Sequence, residues 1–484
     1  MSLGIKGKYI VAYDGVEHRM LHDGVVVIEG NRVKQVGKTY NGSVERWIDA
    51  KNSLVIPGLI NTHIHAASAP KDKSFIEDVG ARALYMSSMG ENLSALGMSM
   101  TRENREVFAK YSMAECLLSG NTTIVEIGMV GSLGPEKALS LVEEVGIRST
   151  QGYGIADGRW ERTQGANIQT IWRGLDYGLE RLEKAADFVH KHQGAINGRI
   201  IPAMYPDKVD VCSGDLQKAI REKANELKCP VSIHAAQWVV EFQNMLRMYR
   251  RTPMEFLHDT GLLGQDLIIG HGWAIAGHPL LAYPPVDGGD LKILAESGAT
   301  VSHDPYVFAK RGNKMHSHSL YLKAGVNLGI GTDTAPQDIL NEMRFASYSS
   351  KFADWDCHSG SSREIFNSAT LGGAKGLQRD DLGRIAPGSL ADITIVDMMC
   401  VNAVPVRDPI RNLVNCMSRS DVKTVIVDGE IVVEGGKLLT VDLDKLVRDV
   451  QEAAEGIYER IPENHVLGKT ADEASPPSFK PWEN

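Results

Sequence analysis

The sequence predicts an α/β protein, a (β/α)8 TIM barrel carrying a small β-sandwich domain built from both termini. Three observations predict it. Short β-rich runs separated by turn residues fill the first 56 positions and return after residue 385. Between them, eight short apolar runs alternate with helix-like segments, the pattern of repeated βα units. The chain has 484 residues, which is more than the ~250 that a single barrel needs. It divides into residues 1–56 and 385–442 for the β-sandwich, 57–384 for the barrel, and 443–484 for a tail that is helical and then extended.

In chain order, Tyr9-Ile10-Val11-Ala12, residues 25–28, the turn Gly30-Asn31 and residues 32–36 read as hairpins. The barrel strands are expected at 54–60, 121–127, 146–152, 199–204, 231–234, 267–271, 300–303 and 326–331. An open doubly wound sheet fits less well, because no Gly-rich phosphate fingerprint follows a strand. Residues 391–397, Val422–Val427, the turn Asp428-Gly429 and Glu430–Glu434 then complete the β-domain. The tail is expected to be helical to about residue 459, then Pro-rich and extended, wrapping the body or reaching a partner subunit.

Composition narrows the partners. With 43% hydrophobic and 23% charged residues, the chain is of ordinary globular type. Its 52 basic and 61 acidic side chains give a formal charge of −9 and a pI near 5.9. No basic run exists for nucleic acid or an anionic membrane surface. No apolar stretch approaches the ~20 residues of a membrane helix, and the first residues lack the apolar core of a secretory signal, so a cytoplasmic location is expected. Cys116, Cys212, Cys229, Cys357, Cys400 and Cys416 are scattered without C-x-x-C spacing and read as buried small hydrophobes.

Chemistry gathers at the ends of the apolar runs. His63 and His65 form an H-x-H pair, and residues two apart on a strand share a face, as a metal site needs. The 15 histidines supply about half of one such pair by chance. Two further pairs exist. His190/His192 ends a helix-like run, where residues two apart diverge, and His316/His318 lies in a polar loop, so both read as solvated surface. Position separates the first pair, because it closes an apolar run, as do His234, His271, His303 and Asp333. The C-terminal strand ends of a (β/α)8 barrel build its active site, so five strands bring imidazoles and a carboxylate to one mouth.

The motifs Pro57-Gly58-Leu59-Ile60-Asn61-Thr62-His63-Ile64-His65, Ser232-Ile233-His234, Gly270-His271, Ser302-His303-Asp304-Pro305 and Gly331-Thr332-Asp333 closely resemble the metal-dependent amidohydrolase superfamily. Residues 119–123, 369–374 and 383–392 support the resemblance, which runs from about residue 5 to 440. The chain looks most like the subgroup of cytosine, guanine and adenosylhomocysteine deaminases, s-triazine chlorohydrolases, and phenylurea and thiocarbamate hydrolases. The resemblance implies one divalent ion, usually zinc, held by His63, His65, His234 and Asp333. Imidazole and carboxylate also suit Mn²⁺, Fe²⁺ or Co²⁺. Binuclear relatives carry a carbamylated lysine after strand four. Here Met204-Tyr205-Pro206 occupies that stretch and Lys208 lies beyond it, so one metal is expected.

In the mechanism this implies, Asp333 accepts the proton of a metal-activated water and His271 faces the developing oxyanion. Deaminases of the subgroup place a glutamate three residues after the strand-five histidine, where it shuttles a proton to a ring nitrogen. This chain has Gln237 there, and an amide neither gives nor takes a proton at neutral pH. For an amide, urea or carbamate, Asp333 can return its proton to the leaving nitrogen, and Gln237 need only hydrogen-bond the substrate. The expected function is therefore hydrolysis of a non-peptide C–N bond in a small, neutral, aromatic or apolar substrate. Hydrolytic deamination or dechlorination of a nitrogen heterocycle is the alternative.

Trp238, Trp273, Tyr306 and Phe308 follow strands five to seven and are expected to line the mouth, where base- and triazine-binding relatives commonly have an asparagine near Phe308. His303 is expected either to contact substrate or to support the ligands. Lys71 and Lys73 follow strand one and either contact substrate or are solvated. The resemblance further implies a homodimer or larger homo-oligomer. Some proteins of this fold have lost their metal ligands and act as scaffolds, whereas this chain keeps the whole set.

Overall fold

The structure is a computed structural model that describes residues 2–75, 79, 92–162, 168–285 and 289–482. It contains two eight-stranded sheets. The chain enters through β1 (Ser2–Tyr13), β2 (His18–Glu29), β3 (Arg32–Gly37) and β4 (Arg46–Pro57). The barrel comprises β5 (Leu59–Ile64), β6 (Asn121–Glu126), β7 (Arg148–Gln151), β8 (Ile200–Pro202), β9 (Val231–Ala235), β10 (Leu267–His271), β11 (Thr300–His303) and β12 (Asn327–Ile330). The return is made by β13 (Ile393–Asp397), β14 (Val422–Val427), β15 (Glu430–Glu434) and β16 (Lys437–Leu438).

The terminal strands form one mixed sheet in the order β16-β15-β14-β13-β4-β1-β2-β3. Its pairs are antiparallel except β1 with β4, which run parallel. The sheet curls on itself: Val33 N donates to Ser389 O at 2.9 Å and Ala391 N to Asn31 O at 2.8 Å, so edge strand β3 meets the segment leading into β13. Ile5, Ile10, Val26, Ile28, Val55, Ile393 and Ile426 are enclosed between the two layers. This core draws residues from both ends of the chain.

The barrel strands are parallel, in the order β8-β7-β6-β5-β12-β11-β10-β9. The ring closes where Met204 N donates to Pro230 O at 3.0 Å and Ser232 N to Met204 O at 2.9 Å. A helix follows each strand, beginning with Arg102–Leu118, whose Thr101 and Asn104 form a capping box. The first barrel strand corrects the expectation of 54–60. Residues up to Pro57 belong to β4, which pairs with β13, and the barrel begins at Leu59. Gly58 makes the transfer, because a Cβ there would lie 2.1 Å from Thr122 Oγ1. Both segments are buried, so one continuous apolar run hides the boundary.

Arg148 of β7 ties the two sheets together. It is buried, with Nε 3.1 Å from Asp392 and Nη2 3.2 Å from Asp428, both carboxylates of the small sheet. The tail packs on its own chain. Helix Leu443–Glu459 lies against Arg102–Leu118, and Arg460 donates to Ser99 O at 2.9 Å and to Asn104 Oδ1 at 3.0 Å. Beyond Glu459 the tail is not simply extended, since Ile461–Asn464 and Ala471–Ala474 are short helices. The cysteines also divide: Cys116, Cys212 and Cys229 are buried, whereas Cys357 and Cys416 are exposed. Among the described residues, no helix is long and apolar enough to cross a membrane.

Candidate active site

The C-terminal ends of β5, β9, β10 and β12 converge on one cleft of about 330 Å³. His63 lies beneath it, fully buried, and Gly270 of β10 makes room, since a Cβ there would be 2.7 Å from the His63 ring. Asp333 follows β12 with φ of 56°. A left-handed conformation costs a non-glycine residue about 1–3 kcal/mol and persists only where its surroundings enforce it. Two backbone bonds do so, from Asp333 N to His63 O at 2.9 Å and from His65 N to Asp333 O at 3.0 Å.

The ring orientations disclose what the site is built to hold. His65 directs Nδ1 to Ile127 O at 3.0 Å, and His234 directs Nδ1 to Asp207 O at 2.6 Å. Each Nδ1–H is thereby engaged, and each Nε2 presents a lone pair to the centre. The two Nε2 atoms lie 3.0 Å apart, a repulsive contact unless a cation is shared between them. His63 is buried and, among the described residues, has no hydrogen-bond partner on either ring nitrogen. Asp333 Oδ1 lies 3.5 Å from His65 Nε2 and 3.7 Å from His63 Nε2. Zinc bonds of about 2.0–2.1 Å in a tetrahedron put ligand atoms roughly 3.3 Å apart, which these separations bracket. Burial holds His63 and His234 well below the usual histidine range, so both are neutral, as ligation requires. The residues present therefore fit a divalent ion.

His271 stands beside this group, its ring 4.7 Å from that of His63, and its nitrogen falls within the same cluster as those of His63 and His234. Its Nδ1 lies 2.8 Å from Asp304 Oδ2, and Ser302 Oγ donates to Asp304 Oδ1 at 2.8 Å. Burial pushes His271 down to about 4 and Asp304 up to about 8. Burial thus disfavours charge on both groups, and His271 Nδ1 faces Asp304 across this short separation.

Of the residues singled out from the sequence, His65, Lys71, His234, Gln237, His271, Phe308 and Asp333 line the cleft. Gln237 is buried, and among the described residues its Nε2 meets the geometry of a hydrogen bond with no partner. Trp238, Trp273, Tyr306 and His303 are not among the described lining residues, contrary to the expectation for the aromatics. Trp238 packs on Trp160 with ring centroids 5.5 Å apart. Trp273 is buried behind Phe308, 5.8 Å between rings, and Tyr306 packs on Phe345 at 5.0 Å. Each belongs to the loop packing that carries the mouth. His303 Nδ1 instead meets His318 Nδ1 at 3.0 Å, so His318 is buried and the solvated reading of that pair is corrected. Lys73 pairs with Glu115 at 2.7 Å.

The motif Ser302-His303-Asp304-Pro305 included Asp304 without giving it a role, although it stands two residues from Ser302 at a strand end, the spacing that places both on one face. Sequence reasoning missed Asp72, Arg311 and the carbonyls of Ile127 and Asp207. Backbone carbonyls leave no trace in residue type.

A histidine-rich mouth with a divalent-ion site on a (β/α)8 barrel defines a class, the metal-dependent hydrolases. The chain belongs to the amidohydrolase family, whose model matches residues 54–432. It is 30% identical over 426 residues to a 5-methylthioadenosine/S-adenosylhomocysteine deaminase of Pyrococcus abyssi, covering 87% of this chain and 92% of the relative. It is 28% identical to a 5'-deoxyadenosine deaminase of Methanosarcina barkeri, covering 94% and 98%. The fold is shared with a zinc-bound adenosine deaminase of Xanthomonas campestris (TM-score 0.79, 21% identity, 94% and 98% covered). It is also shared with a zinc-complexed atrazine chlorohydrolase of Arthrobacter aurescens (TM-score 0.78, 22% identity, 93% and 100% covered). The chain is thus a hydrolase of C–N bonds other than peptide bonds, with a divalent metal.

Proposed function

We propose that this protein hydrolyses an amide, urea or carbamate C–N bond of a small molecule, with one zinc ion held by His63, His65, His234 and Asp333. A bound divalent ion supplies a nucleophilic water near neutral pH and polarises the scissile carbonyl. Asp333 takes the proton released during attack and passes it to the leaving nitrogen. His271, as an Nε2–H donor with Nδ1 turned to Asp304, meets the oxygen on which charge develops.

The observation that carries the acyl reading is Gln237. It occupies the cleft where ring deamination calls for a second proton carrier, and its amide only orients the substrate. Asp207, the other carboxylate among the described lining residues, is paired with Lys208 at 2.8 Å. A second reading, deamination of a purine nucleoside, is favoured by the deaminase relatives that match nearly the whole chain. Six unpaired cysteines support a reducing, cytoplasmic location. Phe352 and Trp355, 73% and 95% exposed, support a homodimer or larger assembly, which light scattering would measure.

The zinc-loaded protein should hydrolyse members of a panel of anilides, phenylureas and carbamates. Gln237→Ala should lower kcat/KM by up to about tenfold, the worth of one hydrogen bond, and Gln237→Glu should not raise turnover of aminotriazines or 5'-methylthioadenosine. A wild type inert on the acyl panel and active on ring amines, with a gain in Gln237→Glu, would establish the second reading.

A further inference from the structure

The cleft also contains a cation for which this reaction has no role. Lys71, on the turn Ala69–Asp72 after β5, lines the cleft and is only 6% exposed. Its Nζ donates to Ser68 O at 2.9 Å, which among the described residues leaves two N–H donors. The other two cations of the lining are neutralised, Lys208 by Asp207 at 2.8 Å and Arg311 by Asp72 at 3.0 Å. Asp72 adjoins Lys71 in sequence but turns its Oδ2 to Arg311 and Thr334. Among the described residues, no carboxylate forms an ion pair with Lys71, and Asp333 faces His63 and His65.

A buried charge is normally paired or bound to a metal, because desolvation otherwise favours replacing it. Burial pushes the Lys71 ammonium down to about 8, and an anion bound beside it would favour the charged form. The divalent ion that the neighbouring ligands fit would add further positive charge. For a neutral substrate, the burial of Lys71 would be offset only by the fields of Asp72 and Asp333, neither of which pairs with it, and three of the four aromatics that suggested such a substrate pack away from the cleft.

We propose that Lys71 is a substrate-binding residue whose two free N–H groups pair with a carboxylate, so that the substrates are C–N compounds bearing an acid group. This rests on the acyl C–N reading above, and two arms keep the failures apart. In the first, benzoate and benzamide are titrated calorimetrically into zinc-loaded wild type, Lys71→Met and Lys71→Gln, with metal content and melting temperature checked for each. Benzoate should bind wild type at least tenfold more tightly than benzamide, and both variants should lose at least tenfold of that benzoate affinity. In the second, the ratio of kcat/KM for 4-acetamidobenzoate over acetanilide should fall at least tenfold in the variants. Benzoate affinity unchanged by either substitution overturns the assignment, including the case where kcat falls equally on both substrates and Lys71 is a proton donor. Benzoate binding that depends on Lys71, in a protein inert toward both acetanilides, supports the anion site and overturns the acyl reading instead.

Discussion

At the residue scale, the pairing of His271 with Asp304 decides what His271 can do. An imidazole whose Nδ1 accepts a proton from its neighbour keeps Nε2–H for an oxyanion, whereas the opposite tautomer offers a lone pair for a metal. The oxyanion role proposed for His271 requires the first. Asp304→Asn should therefore keep kcat within about tenfold, since an amide N–H also donates to Nδ1, whereas His271→Ala should lower kcat about 10²–10³-fold, as removal of an oxyanion donor does. Steady-state kinetics with parallel metal analysis checks both. Stoichiometric metal loss in His271→Ala would make it a ligand. His63, His65, His234, His271 and Asp333 were legible in sequence because each closes an apolar run, whereas Asp304 and Lys71 depend on which neighbour a buried charge faces, which residue order does not record.

At the scale of elements, two buried groups of the barrel wall carry measurable consequences. Arg148 joins β7 to two carboxylates of the terminal sheet, and all three side chains are buried. Arg148→Met leaves Asp392 and Asp428 without their partner and should cost about 3–5 kcal/mol in a chemical denaturation experiment. Glu126, at the end of β6, is raised by burial from the ordinary 4.5 to about 8. The folded protein then holds a proton that the unfolded chain has lost, so this group lowers stability progressively as pH rises from about 4.5 to 8. Thermal melts of Glu126→Gln and wild type should diverge in favour of the variant across that range; a pH-independent difference would refute protonation of Glu126 as its origin. The eight barrel strands were legible because apolar runs recur between helix-like segments. The junction of β4 and β5 was not, because two buried strands in different sheets follow each other across a single glycine.

At the scale of the whole molecule, the barrel orients the ends of β5, β9, β10 and β12 at one mouth, and the terminal sheet and tail pack around its outside. The class of chemistry was readable from that arrangement, because ligand types and their strand positions are both sequence features. The character of the substrate was not, since Trp238, Trp273 and Tyr306 sit on mouth loops yet turn into the packing beneath them. Everything proposed for the mouth depends on three histidines and one aspartate holding a single catalytic ion. The decisive measurement is metal content by inductively coupled plasma mass spectrometry, on wild type and on the His63→Ala, His65→Ala, His234→Ala and Asp333→Ala variants after zinc reconstitution. Wild type should hold one zinc per chain, and the histidine variants should lose both metal and turnover with circular dichroism unchanged. A second equivalent of zinc in wild type, or full metal and turnover in a variant lacking all three histidines, would contradict the single-ion site.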